Sequence, residues 1–253
     1  MTRVELANVT FDYPLFEVTQ RSLKVTLMNY FRGEGGKGPH VRAVRDVSFT
    51  LEDGERLGLV GANGSGKSTL LRLIGGLAHP TAGSVRTEGR VVSLIDKGLG
   101  VNQEFAGSEN IELPLRFLGA TTEEIRAARQ DVRDFADLGP FFDLPVRRYS
   151  EGMKARLSFA LSTAVHADVL ILDEWLSAGD AQFVQRAEAR LNAYLEQIKV
   201  VVLASHSLEL LRSVCSRVAW MDKGKLVEIG EPDRVIDHYL EAYAEAKPGL
   251  AAE

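Results

Sequence analysis

Residues 61–69 read Gly61-Ala62-Asn63-Gly64-Ser65-Gly66-Lys67-Ser68-Thr69 and satisfy the phosphate-loop pattern. The run ERLGLVG before this stretch predicts a buried strand, and the run LLRLIGGLAHPT after it predicts a helix. Glycines let successive backbone N–H groups point at phosphate oxygens, and the N-terminus of the following helix adds partial positive charge. We therefore expect Lys67 to reach the β- and γ-phosphates of a nucleotide and the Ser68 hydroxyl to ligate Mg²⁺. A glycine-rich turn with an unrelated lysine is the alternative, which this context disfavours.

A second stretch, VLILDE at residues 169–174, is an apolar strand that ends in two carboxylates. Ligands of parallel sheets bind beyond the carboxyl ends of the strands, so this is a suitable place for a metal ion. Asp173 is the candidate for the metal and its waters. Glu174 is then placed to accept a proton from the attacking water beside the γ-phosphate, or to orient that water. Taken alone, the two acids are equally compatible with an ordinary strand end.

Two further features are candidates for contacts with phosphate. Tyr149-Ser150-Glu151-Gly152-Met153-Lys154 precedes a helical run, and Ser150 suits its N-cap. A serine hydroxyl, the N–H of Gly152 and a helix dipole together form an anion site that needs a phosphate from elsewhere, although a capped helix alone explains the pattern too. His206 follows a predicted buried strand and could donate to a γ-phosphate, whereas a lone histidine there is commonly structural.

Composition limits the other classes of protein. The chain has 253 residues and 45% hydrophobic content, enough for one large α/β domain or a core with a subdomain. Its net charge of −5 and pI near 5.7 disfavour nucleic acid as a partner. Cys215 is the single cysteine, which suits a reducing cytosol and a buried, inert thiol. No apolar stretch approaches the roughly 18 residues that span a bilayer, and the N-terminus alternates like a strand, so we expect a soluble chain attached to a membrane at most through a partner.

The pattern along the chain predicts one domain over residues 1–253. Alternation predicts antiparallel strands at 3–11 and 43–51, with an insertion at 14–40 that contains an amphipathic portion. Residues 109–166 are mostly helical in pattern, and Thr121 with Glu124 resembles a capping box. The final third alternates strands with helices, as in a parallel sheet buried on both faces, and a last helix with an acidic tail occupies 231–253.

The order and spacing of these motifs resemble the ABC-transporter ATPase family over nearly the whole chain. GANGSGKST resembles its Walker A motif, YSEGMK its signature, VLILDE its Walker B motif, SAGD (Ser177 to Asp180) its D-loop, and His206 its switch histidine. Tyr13 stands where that family stacks an aromatic ring on adenine. The resemblance implies ATP and Mg²⁺ as cofactors, ATP hydrolysis as the activity, and an α/β core of mixed sheet and flanking helices with an antiparallel β subdomain and a helical signature subdomain. It also implies a head-to-tail dimer in which the signature serine of one copy closes on ATP held by the other.

Departures from the usual family pattern resemble one branch, the ATPases that export lipid-linked bacterial surface polysaccharides such as O-antigen, capsule and teichoic acid. The signature reads S-E-G-M, the D-loop ends in Gly-Asp, and DKGLGVNQEF leaves the Q-loop glutamine unassigned, since Asp96 or Lys97 stands at its position and Gln103 comes late. In that branch the 14–40 insertion carries a gate-like helix near the point where glycan enters; a helix that merely covers the sheet edge is the alternative. The branch implies transmembrane permease subunits as partners, indirect contact with a lipid-linked glycan, and a peripheral location on the cytoplasmic face of the inner membrane.

Three other functions compete with this interpretation. A soluble ABC ATPase that acts on ribosomes or DNA usually has two ATPase modules or a long coiled coil, and this sequence shows neither. An ordinary P-loop kinase would match the phosphate loop but needs no signature, D-loop or His206. An importer or drug-exporter ATPase is the nearest alternative, and the insertion and the Q-loop departure argue against it.

Overall fold

The computed structural model describes residues 1–14, 40–95, 100–173 and 181–246. These residues form two sheets with helices packed around them. The strands are β1 (Arg3–Pro14), β2 (His40–Glu52), β3 (Arg56–Val60), β4 (Ala82–Glu88), β5 (Val91–Ser93), β6 (Val169–Asp173), β7 (Val200–Ala204), β8 (Arg217–Asp222) and β9 (Lys225–Gly230).

The α-helices of the described part of the chain fall between and after these strands. They are α1 (Lys67–Ile74), α2 (Glu112–Phe117), α3 (Thr122–Ala136), α4 (Glu151–Ser162), α5 (Ala181–Leu195), α6 (Leu208–Val214) and α7 (Pro232–Ala246), with short 3-10 turns at Gly139–Asp143 and Val146–Arg148. Within these ranges, no helix combines the length and the apolar composition needed to cross a membrane.

The two sheets have different topologies. A six-stranded sheet has the order β5-β6-β7-β3-β8-β9, and all its neighbouring pairs are parallel except the β8–β9 hairpin. A three-stranded antiparallel sheet has the order β2-β1-β4. This is the predicted α/β architecture of a mixed sheet with flanking helices and an antiparallel subdomain.

The central strands β6 and β7 of the six-stranded sheet are buried on both faces, as their apolar sequences predict. In β6, Ile171 packs in a core with β1, β2 and α1, whereas Leu170 and Leu172 pack on the opposite face against the helical region. The same alternation continues in β7 with Val202 on one side and Leu203 on the other. Side chains of successive strand residues point to opposite faces, so an uninterrupted apolar run fills two cores at once.

The capping box that the sequence predicted was confirmed at the start of α3. Thr121 and Glu124 form a reciprocal capping box at the start of α3.

Burial raises the pKa of the Cys215 thiol to about 12, as expected for an inert thiol. The predicted helix LLRLIGGLAHPT is too long, because α1 ends at Ile74 and the next residue, Gly75, is its C-cap. The 14–40 insertion and its amphipathic portion lie almost entirely outside the described residues.

Candidate functional site

Three adjacent parallel strands end at one edge of the six-stranded sheet. In the register of the sheet, Leu59 of β3 and Asp173 of β6 both pair with Ala204, at the end of β7. The phosphate loop follows β3, Asp173 closes β6, and Ser205 and His206 follow β7. Parallel pairing therefore brings three sequence segments, far apart in the chain, to the same edge.

A cleft of about 640 Å³ opens at this edge. Its volume lies in the range of small-molecule and cofactor sites. Its lining includes most of the predicted binding residues: Tyr13, Asn63, Gly64, Gly66, Lys67, Ser68, Thr69, Asp173 and His206. Val41, Arg42, Ala43, Ile95, Ala204 and Ser205 complete it.

The phosphate loop has a backbone that other residues could not adopt. Gly66, immediately before α1, has φ of 106°, and a Cβ atom there would lie 2.4 Å from the carbonyl oxygen of Ala43. Gly61 has φ of 148°, and its Cβ would lie 2.2 Å from the carbonyl oxygen of Met221. Both positions combine a left-handed or extreme backbone with close contact to a neighbouring strand, so they require glycine.

The loop is also held from outside by main-chain hydrogen bonds. The N–H of Gly224, in the β8–β9 turn, donates to the carbonyl of Ser65 at 2.9 Å. The N–H of Arg45, on β2, donates to the carbonyl of Gly224 at 2.7 Å. These two hydrogen bonds link the antiparallel sheet to the hairpin turn and the hairpin turn to the phosphate loop, and they support the loop from outside.

The polar atoms of the loop fit an anionic ligand. The Nζ of Lys67 donates to the carbonyl oxygens of Gly61 at 2.6 Å and Ala62 at 3.1 Å, so the ammonium group lies over the loop. The hydroxyl of Ser65 is buried and has no hydrogen-bond partner within the described part of the chain. A buried polar group without a partner is costly, and in a cationic loop it indicates a site built to change its contacts when a ligand binds.

Tyr13 also lines the cleft. Its ring packs edge-on against Phe11, with centroids 4.8 Å apart, and its hydroxyl lies 3.4 Å from that of Thr69. Across the β1–β2 ladder Tyr13 is opposite Val41, which is also exposed. An aromatic ring and an aliphatic side chain therefore give the cleft apolar surface beside the polar phosphate loop.

The residues expected to hold Mg²⁺ both line the cleft. Ser68 is exposed and Asp173 is half-buried. Among the residues described, no group of three or more His, Cys, Asp or Glu could hold a metal by itself. Because Mg²⁺ is usually bound by one or two protein groups together with substrate phosphates and waters, a hydroxyl and a carboxylate fit an ion that arrives with a nucleotide.

Ser150 and Gly152 lie in a different place. Together with Asp137, Leu138, Phe141, Met153 and Arg156 they line a separate pocket of about 270 Å³. Ser150 is the N-cap of α4, as predicted, and its hydroxyl accepts a hydrogen bond from the N–H of Met153 at 3.2 Å. The sequence analysis treated these residues as an anion site separate from the phosphate loop, and in this chain the two sets of residues line two different pockets.

Two arginines of these pockets were missed by the sequence analysis. Arg42 lines the main cleft and stands opposite Asp12 on the neighbouring strand. The sequence alone does not show this pairing. Arg156 lines the second pocket, and its guanidinium lies 5.1 Å from the ring centroid of Phe183. The atypical Glu151 of the signature forms an ion pair with Lys154 at 2.7 Å. That pair partly neutralises an acidic residue beside the second pocket.

Several predicted residues fall outside the described part of the chain. They are Glu174, the D-loop from Ser177 to Asp180, and Asp96 and Lys97 of the Q-loop region. Gln103 is described: it is exposed, its carbonyl oxygen accepts from the N–H of Arg147 at 2.8 Å, and it is not among the residues that line the cleft.

The sheet order and the glycine loop between β3 and α1 define a P-loop nucleotide-binding protein. Comparison with known families identifies it further. The model of the ABC transporter family matches residues 44–177, from β2 through the Walker B region. The chain therefore belongs to the ABC transporter family.

Several curated proteins resemble this chain over most of its length. The teichoic acids export ATP-binding protein TagH of Lactiplantibacillus plantarum is 38% identical over 99% of this chain and 68% of its own length. The O-antigen export system ATP-binding protein RfbB of Klebsiella pneumoniae is 36% identical over 95% of this chain and 98% of its own. RfbB of Myxococcus xanthus is 39% identical, and the match covers 91% of this chain but only about half, 53%, of that protein.

Solved structures show the same fold. An ATP-binding cassette in a dimeric, post-hydrolysis state bound to ADP and Pi aligns with a TM-score of 0.66 at 22% identity, over 90% of this chain and 98% of that one. The ATP-binding subunit of an ABC transporter aligns with a TM-score of 0.70 at 18% identity, over 96% and 98% of the two chains.

Proposed function

We propose that this chain is the ATP-binding and ATP-hydrolysing subunit of an ABC exporter that powers the translocation of a lipid-linked cell-surface polysaccharide. The observation that carries the proposal is the meeting of Lys67, Asp173 and His206 from three adjacent strand ends in one cleft. The relatives named for teichoic acid and O-antigen export support the choice of cargo.

In the proposed mechanism, the cleft holds ATP with its base at Tyr13 and its triphosphate on the phosphate loop. Lys67 and the loop N–H groups oppose the negative charge of the β- and γ-phosphates. When bound, Mg²⁺ supplies further neutralisation of that charge, and Ser68 and Asp173 are the residues that would hold it. Glu174 follows Asp173 directly in the sequence and is the proposed base for the attacking water, with His206 donating to the γ-phosphate.

A second copy of the chain completes the site. Ser150 and Gly152, the proposed phosphate contacts of the signature, line a pocket separate from that of Lys67. In a head-to-tail dimer with two-fold symmetry, the signature pocket of each copy faces the phosphate loop of the other, so two equivalent sites form. Asp180 of the D-loop is a further proposed nucleotide-binding residue. Closure of the dimer then depends on ATP, and hydrolysis reopens it.

The transmembrane permease subunits of the exporter are the proposed membrane partners. Two apolar side chains on α2 offer a contact: Leu113 and Phe117, four residues apart and therefore on the same side of the helix, are 51% and 64% exposed. Large apolar side chains exposed together are typical of protein–protein interfaces. The proposed location is therefore peripheral, on the cytoplasmic face of the inner membrane, with contact to the lipid-linked glycan only through the permease.

Coexpression with a membrane subunit of an ABC polysaccharide exporter from the same organism tests this function. We expect the two chains to copurify, and we expect surface polysaccharide to disappear when the gene for this chain is deleted. Complementation with wild-type chain should restore the glycan, whereas a Lys67→Ala variant should copurify but not restore it. Normal surface glycan in the deletion strain would refute the cargo and leave the ATPase.

A further inference from the structure

Asp12 and Arg42 form a two-point ion pair at the end of the β1–β2 ladder. They are directly opposite each other in the register. The Nε of Arg42 donates to Oδ1 of Asp12 at 2.8 Å, and its Nη2 donates to Oδ2 at 3.1 Å. The planar guanidinium thus meets the carboxylate fork to fork, the geometry that makes an arginine–carboxylate pair most directional. His40 lies 3.8 Å from the same carboxylate.

This pair lies beside the end of the cleft where a base would stack. The next residues along the two strands, Tyr13 and Val41, pair with each other and both line the cleft, as does Arg42 itself. The ladder is irregular just before them, with register shifts between Val9 and Phe11 and between Phe11 and Asp12. Because the main-chain pairing is interrupted there, side-chain contacts carry more of the task of holding the two strand ends together.

The phosphate end of the cleft is fixed by other contacts. Ser65 is held through Gly224 to Arg45 by main-chain hydrogen bonds, and Gly66 packs on the carbonyl of Ala43. None of these contacts uses the side chains of Asp12 or Arg42. The contacts that hold the phosphate loop therefore do not include the Asp12–Arg42 pair, so loss of that pair should leave them in place.

The charge state of the pair is constant near neutral pH. The hydrogen bond from Arg42 is the main cause that lowers the pKa of Asp12 below its usual range, and the same bond raises the pKa of Arg42. Both groups stay charged, so the contact persists under the conditions in which the cleft binds its ligand.

We propose that Asp12 and Arg42 are positioning residues for the base of the nucleotide, holding Tyr13 and Val41 in place as the apolar surface on which an adenine ring packs. The proposal rests on the function proposed above, in that the cleft binds ATP. It assigns the pair to recognition of the base and ribose portion of an adenine nucleotide and not to binding of the triphosphate. The effect passes through Tyr13 and Val41, so neither residue of the pair is catalytic.

The test compares two ligands, Mg²⁺-ATP and inorganic tripolyphosphate with Mg²⁺, by calorimetric titration of the full chain. Asp12→Asn and Arg42→Gln should each raise the Kd for ATP by roughly three- to fivefold, the size expected for loss of a partly exposed ion pair. The Kd for tripolyphosphate should change by less than about twofold, within the scatter of a neutral surface substitution. Tripolyphosphate binding also shows that each variant is folded.

Two further variants make the result specific. The exchange Asp12→Arg with Arg42→Asp restores a pair of opposite charges and should recover part of the ATP affinity. Glu5→Gln removes a carboxylate from the same strand and breaks an exposed ion pair with Arg3, N···O 3.4 Å, at the end of β1 remote from the cleft, and it should change neither Kd.

The outcomes distinguish failure of the Asp12–Arg42 proposal from failure of the proposed ATP site. Equal weakening of ATP and tripolyphosphate in Asp12→Asn would overturn the assignment to the base, as would unchanged ATP affinity in both single variants. Failure of the wild-type chain to bind either ligand would instead refute the proposed ATP site itself.

Discussion

The hydroxyl of Tyr13 lies 3.4 Å from the hydroxyl of Thr69, which joins the end of the antiparallel sheet to the first turn of α1. One residue belongs to a strand at the start of the chain and the other to the helix of the phosphate loop. The contact sets the distance between the wall proposed for the base and the loop proposed for the phosphates. It involves the hydroxyl of Tyr13, whereas stacking involves only the ring, so the two roles can be separated.

Substitution of Tyr13 should therefore distinguish ring from hydroxyl. Tyr13→Ala should raise the Kd for ATP by roughly fivefold to 100-fold, because stacking of a base on an aromatic side chain is worth about 1–3 kcal/mol. Tyr13→Phe keeps the ring and should stay within about threefold of wild type, since it removes only a long hydrogen bond. Calorimetry or a fluorescent ATP analogue measures both values. Equal losses in the two variants would show that the hydroxyl contact, not stacking, determines affinity.

Substitutions of Lys67 and of Glu174 should impair different steps, nucleotide binding and ATP hydrolysis respectively. Lys67→Ala removes the ammonium group opposite the phosphates and should weaken ATP binding by roughly 10- to 100-fold. Glu174→Gln removes the proposed base and should leave the Kd for ATP unchanged while hydrolysis falls by about 10²- to 10⁴-fold.

Nucleotide titration and phosphate-release rates, measured on the same preparations, check both expectations. Full hydrolysis in the Glu174→Gln variant would contradict the assignment of the base. ATP-dependent dimer formation, followed by size-exclusion chromatography, should be strongest in Glu174→Gln because the closed state is no longer broken by hydrolysis.

The phosphate loop and the strands around it were predictable because each depends on local sequence. The glycine pattern predicts where the backbone must curl. The apolar runs at β6 and β7 predict that both faces of the sheet are buried at these strands. The capping box of Thr121 and Glu124 was equally readable, since its donors and acceptors are only three residues apart. For such features the sequence contains both partners of the interaction.

Features that depend on pairing between distant segments were not predictable in the same way. That Arg42 lines the cleft follows from the β1–β2 register, which crosses an insertion of more than twenty residues. That Arg156 joins Ser150 in the second pocket is likewise a property of the three-dimensional arrangement, and the signature motif does not reveal it. The predicted helix after the phosphate loop was too long because an apolar pattern continued past Gly75, whereas glycine ended the helix.

Asp168 should make stability depend on acid pH. Its carboxylate accepts from Nζ of Lys199 at 2.8 Å and from the N–H of Arg90 at 2.9 Å, and these bonds lower its pKa from 3.8 to about 2. A folded-state pKa below the unfolded value means that the charged form stabilises the fold above about pH 4 and that this contribution is lost as the pH falls toward about 2.

Asp168→Asn should accordingly lower Tm at pH 7, and its difference from wild type should shrink below about pH 4, where wild type loses the same contribution. Glu88→Gln, which removes an exposed carboxylate at the end of β4, is the control and should show a small difference at every pH. Thermal unfolding in buffers from pH 7 to pH 3 gives the comparison. A difference for Asp168→Asn that is independent of pH over that range would mean that packing, and not charge, is responsible.

Alanine at Gly66 and at Gly64 should affect stability unequally, although both residues have positive φ, 106° and 78°. At Gly64 nothing lies within 4 Å of a new Cβ, so the cost is only that of a left-handed backbone, about 1–2 kcal/mol. At Gly66 the Cβ would lie 2.4 Å from the carbonyl oxygen of Ala43, so β2 or the loop must also move. Urea unfolding should therefore show a clearly larger loss for Gly66→Ala. Because that movement would displace the support from Arg45 and Gly224, Gly66→Ala should also weaken binding of tripolyphosphate, which needs the loop but not Tyr13. Equal losses of stability in the two variants would contradict the claim that β2 fixes the phosphate loop by direct contact.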